Sequence, residues 1–350
     1  MATYSFQSIT AAQGLAYSGA TDSVTFGAGE ANQAAVAFLT APESAAVSFG
    51  GRTVNFGPGV YSDLDLRFDN GGIVFVGGTG ADNATGSAAG DAMFGGAGGD
   101  TLNGGGGANI IQGNQGNDSL VGGSGNDTVY GGQDNDTIVL GTGSAEANFA
   151  NGNRGDDTIT ASNGADTVLG GQGNDLITGG NGGQFLNGNL GDDTIAGGSG
   201  ADTISGEGGY DVLTGGAGAD QFVFAAGTSD VSNALADRIR DWSAADRIGL
   251  SVHGGYSELV SAGAPAQMPM YDPYDPYGYY DYPAAMSADF TTATSTATNT
   301  MAADRTLQIV AVQYGADVSV FVDTNADHTP DMAIVLLNTS LAQIDATNFF

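Results

Sequence analysis

The chain has 350 residues, with 39 acidic and 7 basic side chains, a net charge of −32 and no cysteine. The missing cysteine excludes disulfides and thiolate metal sites, and the acidic balance argues against nucleic acids and anionic membranes as partners, because both need basic patches. Such a charge favours a multivalent cation as the partner.

Residues 1–76 predict a small β-rich N-terminal domain. Apolar and polar residues alternate over 45–49 and 52–56, and an apolar run covers 72–76, with glycine-containing turns between them. These patterns are typical of short strands. The segment shows no arrangement of side chains that indicates a ligand.

Residues 77–223 repeat a nine-residue pattern, Gly-Gly-x-Gly-x-Asp-x-U-x, in which U is apolar. Residues 95–103, 122–130 and 197–205 are complete copies. A fixed short period is typical of a solenoid, in which each repeat packs on its neighbours. Glycine permits positive φ and leaves carbonyl oxygens uncovered, while the aspartate adds a carboxylate oxygen. Oxygen donors without nitrogen or sulfur indicate calcium.

These repeats resemble the RTX (repeats-in-toxin) β-roll, whose nonapeptides wind a right-handed parallel β-helix around calcium ions. The resemblance implies an all-β fold in which two repeats form one coil and the apolar residues at position eight stack inside. It also implies that positions two, four and six of one repeat face positions one, three and six of the next coil across a calcium ion. Besides the aspartates, the implied ligands are Gly96, Gly98, Gly113, Gln115, Gly131, Gly171, Gly173, Gly188, Gly198, Gly200, Gly215 and Ala217.

Position six falls alternately on two edges of the predicted roll. The first row holds Asp82, Asp100, Asp118, Asp136, Asp157, Asp175, Asp193 and Asp211. The second row holds Asp91, Asn109, Asp127, Asn148, Asp166, Gln184, Asp202 and Asp220, and the repeat that contains Asn148 has three extra residues. An amide oxygen can bind calcium but brings no charge, so we expect a continuous row of ions along the first edge and a sparser or weaker one along the second. The alternative explanation for the amide residues in the second row is sequence drift within a duplicated 36-residue block, without a functional role.

Residues 224–350 leave the nonapeptide period and predict a β-rich C-terminal cap. Residues 237–251 resemble the segment that follows the repeats in RTX proteins, but Trp242 and Gly249 depart from its usual residues and put further calcium there in doubt. Predicted strands over 318–322 and 332–337 flank a turn with alternating oxygen side chains. That turn predicts either another calcium site or an Asx-rich hairpin turn, and its oxygen-bearing residues are Asp323, Asn325, Asp327 and Asp331.

The C-terminal region contains a Tyr/Pro-rich insertion over residues 267–300. Residues 269–283 contain four prolines, at positions 269, 273, 276 and 283, which favours an extended loop over a helix or a central strand. The insertion is either a tolerated surface segment or a tyrosine-rich contact surface, since tyrosine gives a large contact area at low entropy cost.

The sequence predicts that this chain is not an enzyme. Both histidines, His253 and His328, follow the repeats, and neither His-Glu-x-x-His nor Gly-x-Ser-x-Gly occurs. We therefore expect a calcium-binding structural protein that folds on calcium and self-assembles as a homo-oligomer in a surface layer, fibre or biofilm matrix. A monomeric calcium-dependent adhesin or carbohydrate-binding module is the alternative.

The RTX resemblance also implies a route of export. Proteins of that family leave the cell through a type I secretion apparatus on an uncleaved C-terminal signal, and residues 343–350 look like such an ending. No apolar run of about 18 residues predicts a transmembrane segment, and residues 1–6 lack the pattern of a cleaved signal peptide. We expect an extracellular or cell-surface protein.

Overall fold

The computed structural model describes residues 2–16, 22–26, 31–39, 44–57, 61, 66–225, 229, 236–251, 259–263, 286–303, 309–325, 327, 329–344 and 348–349. The chain divides into two compact units, residues 1–185 (unit 1) and 186–350 (unit 2). Strands dominate both units.

Unit 1 begins with a small β-rich region around an aromatic core. Its elements are β1 (Ala2–Ser5), α1 (Ala11–Leu15), β2 (Asp22–Phe26), β3 (Ala35–Leu39), β4 (Ser44–Phe49), β5 (Arg52–Phe56), β6 (Leu66–Phe68) and β7 (Val74–Val76). Strands β1, β2 and β6 form a parallel sheet, and β3, β4 and β5 form an antiparallel one, as the alternating pattern predicts. The rings of Phe6 and Phe68 each stack on that of Phe26 with centroids 4.4 Å apart.

The rest of unit 1 is a parallel β-helix. Its strands are β8 (Asn83–Thr85), β9 (Ala92–Ala97), β10 (Thr101–Asn103), β11 (Ile110–Gln115), β12 (Ser119–Val121), β13 (Thr128–Gln133), β14 (Thr137–Val139), β15 (Phe149–Arg154), β16 (Thr158–Thr160), β17 (Thr167–Gln172) and β18 (Leu176–Thr178). The even-numbered strands β8–β18 form one parallel sheet, and the odd-numbered strands β7–β17 form the other. Leu102 pairs with Leu120 and Ile111 with Val129, two repeats further along the chain. The predicted β-roll fold is therefore confirmed.

Position eight of the repeats forms the inner core, as predicted. In unit 1 its side chains are 0% exposed: Met93, Leu102, Ile111, Leu120, Val129, Ile138, Ile159, Val168 and Ile177. Burial of a large aliphatic side chain contributes about 1.5–3 kcal/mol, but two such residues per coil make only a thin core. The stability of the coils therefore also depends on the interactions of the residues in their turns.

Unit 2 contains further coils followed by the C-terminal region. Its elements are β19 (Phe185–Leu190), β20 (Thr194–Gly198), β21 (Thr203–Gly208), β22 (Val212–Gly216), β23 (Gln221–Ala225), β24 (Asp237–Ile239), β25 (Arg247–Ser251), β26 (Leu259–Gly263), α2 (Met286–Ala303), β27 (Ile309–Tyr314), β28 (Asp317–Val322) and β29 (Met332–Leu336). One sheet runs β20-β22-β24-β29-β28-β27-β26, and another runs β21-β23-β25. The predicted hairpin is present, because β28 and β29 pair antiparallel.

Helix α2 differs from the sequence-based expectation of a β-rich cap with an extended insertion over residues 267–300. Its buried residues Phe290, Ala293, Ala297 and Met301 lie at helical spacing, and α2 packs on β27 and β28. Four threonine hydroxyls of the helix donate to the carbonyl four residues earlier, as Thr294 does to Phe290 at 2.9 Å. Internal hydrogen bonds and one buried face thus outweigh the weak helix propensity of threonine. The Tyr/Pro-rich segment 269–283 lies outside the described residues.

Candidate metal sites

Position six of each repeat is the last residue before a strand, and its side chain turns back against the coil. In unit 1 the first row precedes the even-numbered strands and the second row precedes the odd-numbered ones. Eight of the nine aspartates of the two rows in unit 1 are at most 3% exposed, whereas Asp82 is half-buried. We call the space between two successive members of a row a slot.

A ladder of hydrogen bonds links successive members of the first row. The backbone N–H of Asp100 donates to Oδ1 of Asp118 at 2.7 Å, and that of Asp118 donates to Oδ1 of Asp136 at 2.9 Å. In unit 2 the N–H of Asp193 donates to Oδ1 of Asp211 at 2.9 Å. One oxygen of each carboxylate therefore fixes the stacking of the coils.

The other carboxylate oxygen lies buried without a hydrogen-bond donor. Within the described residues, Oδ2 has no partner in a set that includes Asp100, Asp118, Asp136 and Asp157 of unit 1 and Asp211 of unit 2. A buried anionic oxygen left unsatisfied costs several kcal/mol, so native structures pair it or place it on a metal ion.

Glycine at position one brings this oxygen and a carbonyl into one space. A Cβ atom added to Gly113 would clash with Oδ2 of Asp118 and lie 2.7 Å from the carbonyl oxygen of Gly131 in the next coil. The same arrangement recurs at Gly131, where the added Cβ would clash with Oδ2 of Asp136. Carboxylate and carbonyl oxygens that converge in this way suit a hard cation such as calcium.

Burial makes the first row costly to ionise without a cation. It raises the pKa of Asp100 to about 6, of Asp118 to about 7 and of Asp136 to about 8, and the neighbouring carboxylates in the row add to these shifts. Since the unperturbed pKa is near 3.9, full ionisation of the metal-free row at neutral pH costs free energy. A bound divalent cation would offset that cost.

The glycine-rich positions lie where the repeat pattern predicts them. Gly96 and Gly98 have φ of 102° and 110°, which L-residues with a side chain rarely adopt, and the N–H of Gly98 donates to the carbonyl of Gln115 at 2.8 Å. The other predicted carbonyl positions lie in the second half of a strand or within two residues after its end: Gly113, Gly131, Gly171, Gly173, Gly188, Gly198, Gly200, Gly215 and Ala217.

Two row members lie beyond the predicted repeats. Asp237 Oδ1 accepts from the N–H of Asp211 at 3.0 Å, and Asp246 Oδ1 accepts from the N–H of Asp220 at 3.1 Å. Asp237 is 0% exposed, and burial together with the Asp211 carboxylate raises its pKa to about 8. The sequence signal was the tripeptide Asp-Arg-Ile at both positions, which keeps Asp-x-U after the glycines have gone.

The second row has the same ladder of backbone N–H donors, but in three of its slots the acceptor is a side-chain amide oxygen instead of a carboxylate. The N–H of Asp91 donates to the amide oxygen of Asn109 at 2.9 Å, and that of Asp127 donates to the amide oxygen of Asn148 at 2.8 Å. The N–H of Asp166 donates to Oε1 of Gln184 at 3.0 Å. In unit 2, Asp202 and Asp220 form a slot with two carboxylates, linked at 2.9 Å.

The predicted turn between β28 and β29 has the hydrogen bonds of an Asx-rich turn. Asp331 Oδ2 accepts from the N–H and the hydroxyl of Thr324, both at 2.9 Å, and Asp331 Oδ1 accepts from the side-chain amide of Asn325 at 3.1 Å. Asp323 Oδ1 accepts from the N–H of Asn325 at 3.2 Å, and Asn325 Oδ1 accepts from that of Asp327 at 2.8 Å. These bonds form the Asx-rich turn, and a further calcium site there stays a prediction.

Among the described residues, no group of three or more His, Cys, Asp or Glu side chains could hold a metal ion by itself. No described helix is long and apolar enough to cross a membrane.

Comparison with known proteins identifies the repeats. The model of the RTX calcium-binding nonapeptide repeat matches residues 74–102, 103–138, 142–177, 178–213 and 196–229. Among solved structures, the solution structure of the AlgE6R3 subunit from the Azotobacter vinelandii mannuronan C5-epimerase is similar, with 22% identity and a TM-score of 0.33 over 52% of this chain and 80% of that one. No curated protein matches the chain significantly.

Proposed function

Because residues 74–229 carry RTX calcium-binding nonapeptide repeats, we propose that this chain is a secreted structural protein of the cell surface or extracellular matrix. It folds on calcium and self-associates. RTX repeats bind calcium, and several copies imply several ions. The repeat fold is typically non-catalytic, and proteins that carry it are typically exported.

The observation that carries this proposal is a set of buried first-row Oδ2 atoms that have no hydrogen-bond donor among the described residues, those of Asp100, Asp118, Asp136 and Asp157. Two carboxylates about 5 Å apart, one coil spacing, repel by about 3 kcal/mol at an effective dielectric of 20. The first-row aspartates would hold the ions together with the carbonyls of positions one to four, and bound calcium would supply the charge that the row lacks. The ladder hydrogen bonds keep the carboxylates stacked for that purpose.

Calcium concentration then decides where the protein folds. With a dissociation constant of about 10⁻⁴ M, each site adds about 1.4 kcal/mol at about 1 mM calcium and almost nothing at about 10⁻⁷ M. Several such sites together match the whole stability of an ordinary domain. A chain that stays unfolded at low calcium and folds at high calcium suits export as a threaded polypeptide through a type I apparatus.

Self-association is the structural part of the proposal. Leu176 and Phe185 on unit 1 are 46% and 43% exposed, which leaves apolar contact area on the outside of the strands. We also propose the division into residues 1–76, 77–223 and 224–350, with the central roll as the calcium-dependent part. Electron microscopy of the purified chain with and without calcium tests assembly: ordered sheets or filaments only in calcium support it, and dispersed monomers in both contradict it.

A groove in unit 1 favours a second candidate function, a calcium-dependent carbohydrate-binding adhesin. The groove has a volume of about 560 Å³ and is lined by Phe38 and Tyr61, whose rings lie 6.5 Å apart and nearly parallel. Amide side chains from successive coils continue it, among them Asn114, Gln133 and Asn153. Flat rings beside regularly spaced amides suit an extended neutral glycan. Retardation in a glycan-containing gel that Tyr61→Ala abolishes would support this function over assembly.

A further inference from the structure

The amide of Asn109 points its NH2 group into a slot. Its Oδ1 accepts from the N–H of Asp91 at 2.9 Å, so the NH2 group must face the next coil. There Nδ2 donates to the carbonyls of Gly107 and Gly122, both at 3.2 Å, and to Oδ1 of Asp127 at 2.9 Å. Hydrogen atoms thus occupy the space where a cation needs oxygens, and the slot between Asn109 and Asp127 does not fit calcium.

Asn148 closes the slot between itself and Asp166 in the same way, and Gln184 closes the slot between Asp166 and itself from the opposite side. Nδ2 of Asn148 donates to Oδ1 of Asp166 at 3.0 Å and to the hydroxyl of Ser162 at 3.2 Å. Nε2 of Gln184 donates to the carbonyl of Gly164 at 2.7 Å and to that of Ser162 at 3.3 Å. The amide oxygen of Asn148 accepts from the N–H of Asp127, and that of Gln184 accepts from the N–H of Asp166, which fixes the position of each NH2 group. We call these three spaces the amide-closed slots.

The slot between Asp127 and Asn148 differs from them. Asp127 is 1% exposed, and its Oδ1 accepts from the Asn109 amide of the preceding coil, whereas its Oδ2 has no partner among the described residues. On the coil that follows, the three extra residues bring Glu146 beside it. The N–H of Gly125 donates to Oε1 of Glu146 at 2.9 Å, whereas Oε2 is buried and has no partner within the described chain.

The inserted loop holds Glu146 in this position from both neighbouring coils. The N–H of Ala147 donates to Oδ1 of Asn126 at 3.1 Å, and the N–H of Ala165 donates to the carbonyl of Glu146, also at 3.1 Å. The Glu146 carboxyl group folds over Gly143, where an added Cβ would clash with it.

We propose that Asp127 and Glu146 form a separate calcium site, in which the inserted loop supplies the carboxylate that Asn148 lacks. The amide oxygen of Asn148, which faces the same slot, is a further oxygen donor. Amide-closed slots lie on both sides of this site, so its ion shares no carboxylate pair with another ion and should bind independently of the first row. The inference rests on the proposed calcium binding by the repeats and adds a site outside the nonapeptide pattern.

The test counts calcium ions per chain by native mass spectrometry at saturating calcium. Glu146→Gln should lower the count by one, and Asp69→Asn, which removes one exposed charge in the N-terminal region, should leave it unchanged. Gly143→Ala keeps every charge but displaces the Glu146 carboxylate, so it should lose the same ion. Asn148→Asp in the Glu146→Gln background restores a second carboxylate and should recover at least one ion.

The outcomes separate this inference from the proposed function. A wild-type chain that binds no calcium refutes the proposed function itself. A wild-type chain that binds several ions, with Glu146→Gln or Gly143→Ala binding the same number, refutes only the Glu146 site. If Glu146→Gln does not fold, the ion count of Gly143→Ala alone decides the question.

Discussion

Asp118→Asn should change the stability of the protein in opposite directions with and without calcium. Asp118 faces two slots, each with two first-row carboxylates, and its Oδ2 is buried without a partner in the described chain. The amide would keep the ladder hydrogen bond through its oxygen. Its NH2 group would then face the carbonyl of Gly131, as the NH2 of Asn109 faces that of Gly122.

The free-energy changes expected for Asp118→Asn in calcium and in chelator can be estimated separately. In about 1 mM calcium, loss of two sites at about 1.4 kcal/mol each costs about 3 kcal/mol, which lowers the melting temperature by on the order of 10 °C. In chelator at pH 8, the variant no longer ionises a carboxyl whose pKa burial raises to about 7. Removal of that charge should stabilise the calcium-free fold by on the order of 4 kcal/mol.

The assay is circular dichroism at pH 8, with Asp69→Asn as the control for one lost charge: the melting temperature is measured in calcium, and the residual β signal is measured in chelator. A melting temperature lower than wild type in calcium and a residual β signal larger than wild type in chelator support the reasoning. A change of the same sign in both buffers would refute it, because Asp118 would then act through packing alone.

Three further perturbations follow from the same geometry. Asp127→Asn should cost about half as much as Asp118→Asn in calcium, because one of its two slots is already closed by the Asn109 amide; equal losses in melting temperature would contradict this. Gly113→Ala should destabilise the fold strongly, because the added Cβ atom clashes with Asp118. Gly80→Ala should be nearly neutral, because no atom lies within 4 Å of the Cβ atom added there. Denaturant titrations of both variants measure the difference. Without calcium, lowering the pH from 8 to 5 should restore part of the β signal. The folded-state pKa values of about 6 to 8 lie above the unfolded value, so this contribution to calcium-free stability is fully present below about pH 4 and is lost as the pH rises through 6 to 8; a β signal in chelator that does not change with pH would argue against buried, uncompensated carboxylates.

Much of the roll was predictable because one short pattern sets both its period and its chemistry. Every apolar residue at position eight is constrained by the repeat itself, and the two rows follow from the alternation of repeats. Asp237 and Asp246 were missed because their glycines are absent, although the Asp-x-U tripeptide remained. The role of Glu146 depends on how an inserted loop folds, which no periodicity encodes.

The C-terminal helix shows a different limit of the sequence. Residues 286–303 contain many threonines, which weakly disfavour helices, so composition alone predicts an irregular stretch. The spacing of Phe290, Ala293, Ala297 and Met301 was the stronger signal, since it places four apolar residues on one helical face. Tertiary burial on β27 and β28 then decided the conformation.

Our central claim is that this protein folds only when calcium binds. Far-UV circular dichroism of the whole chain at pH 7.5, recorded in chelator and then after addition of calcium or magnesium, tests it. We predict that chelator abolishes most of the β signal, that about 1 mM calcium restores it, and that magnesium does not, because magnesium demands a tighter octahedral set of ligands. A β signal and a melting curve that are the same in chelator and in calcium would contradict the account.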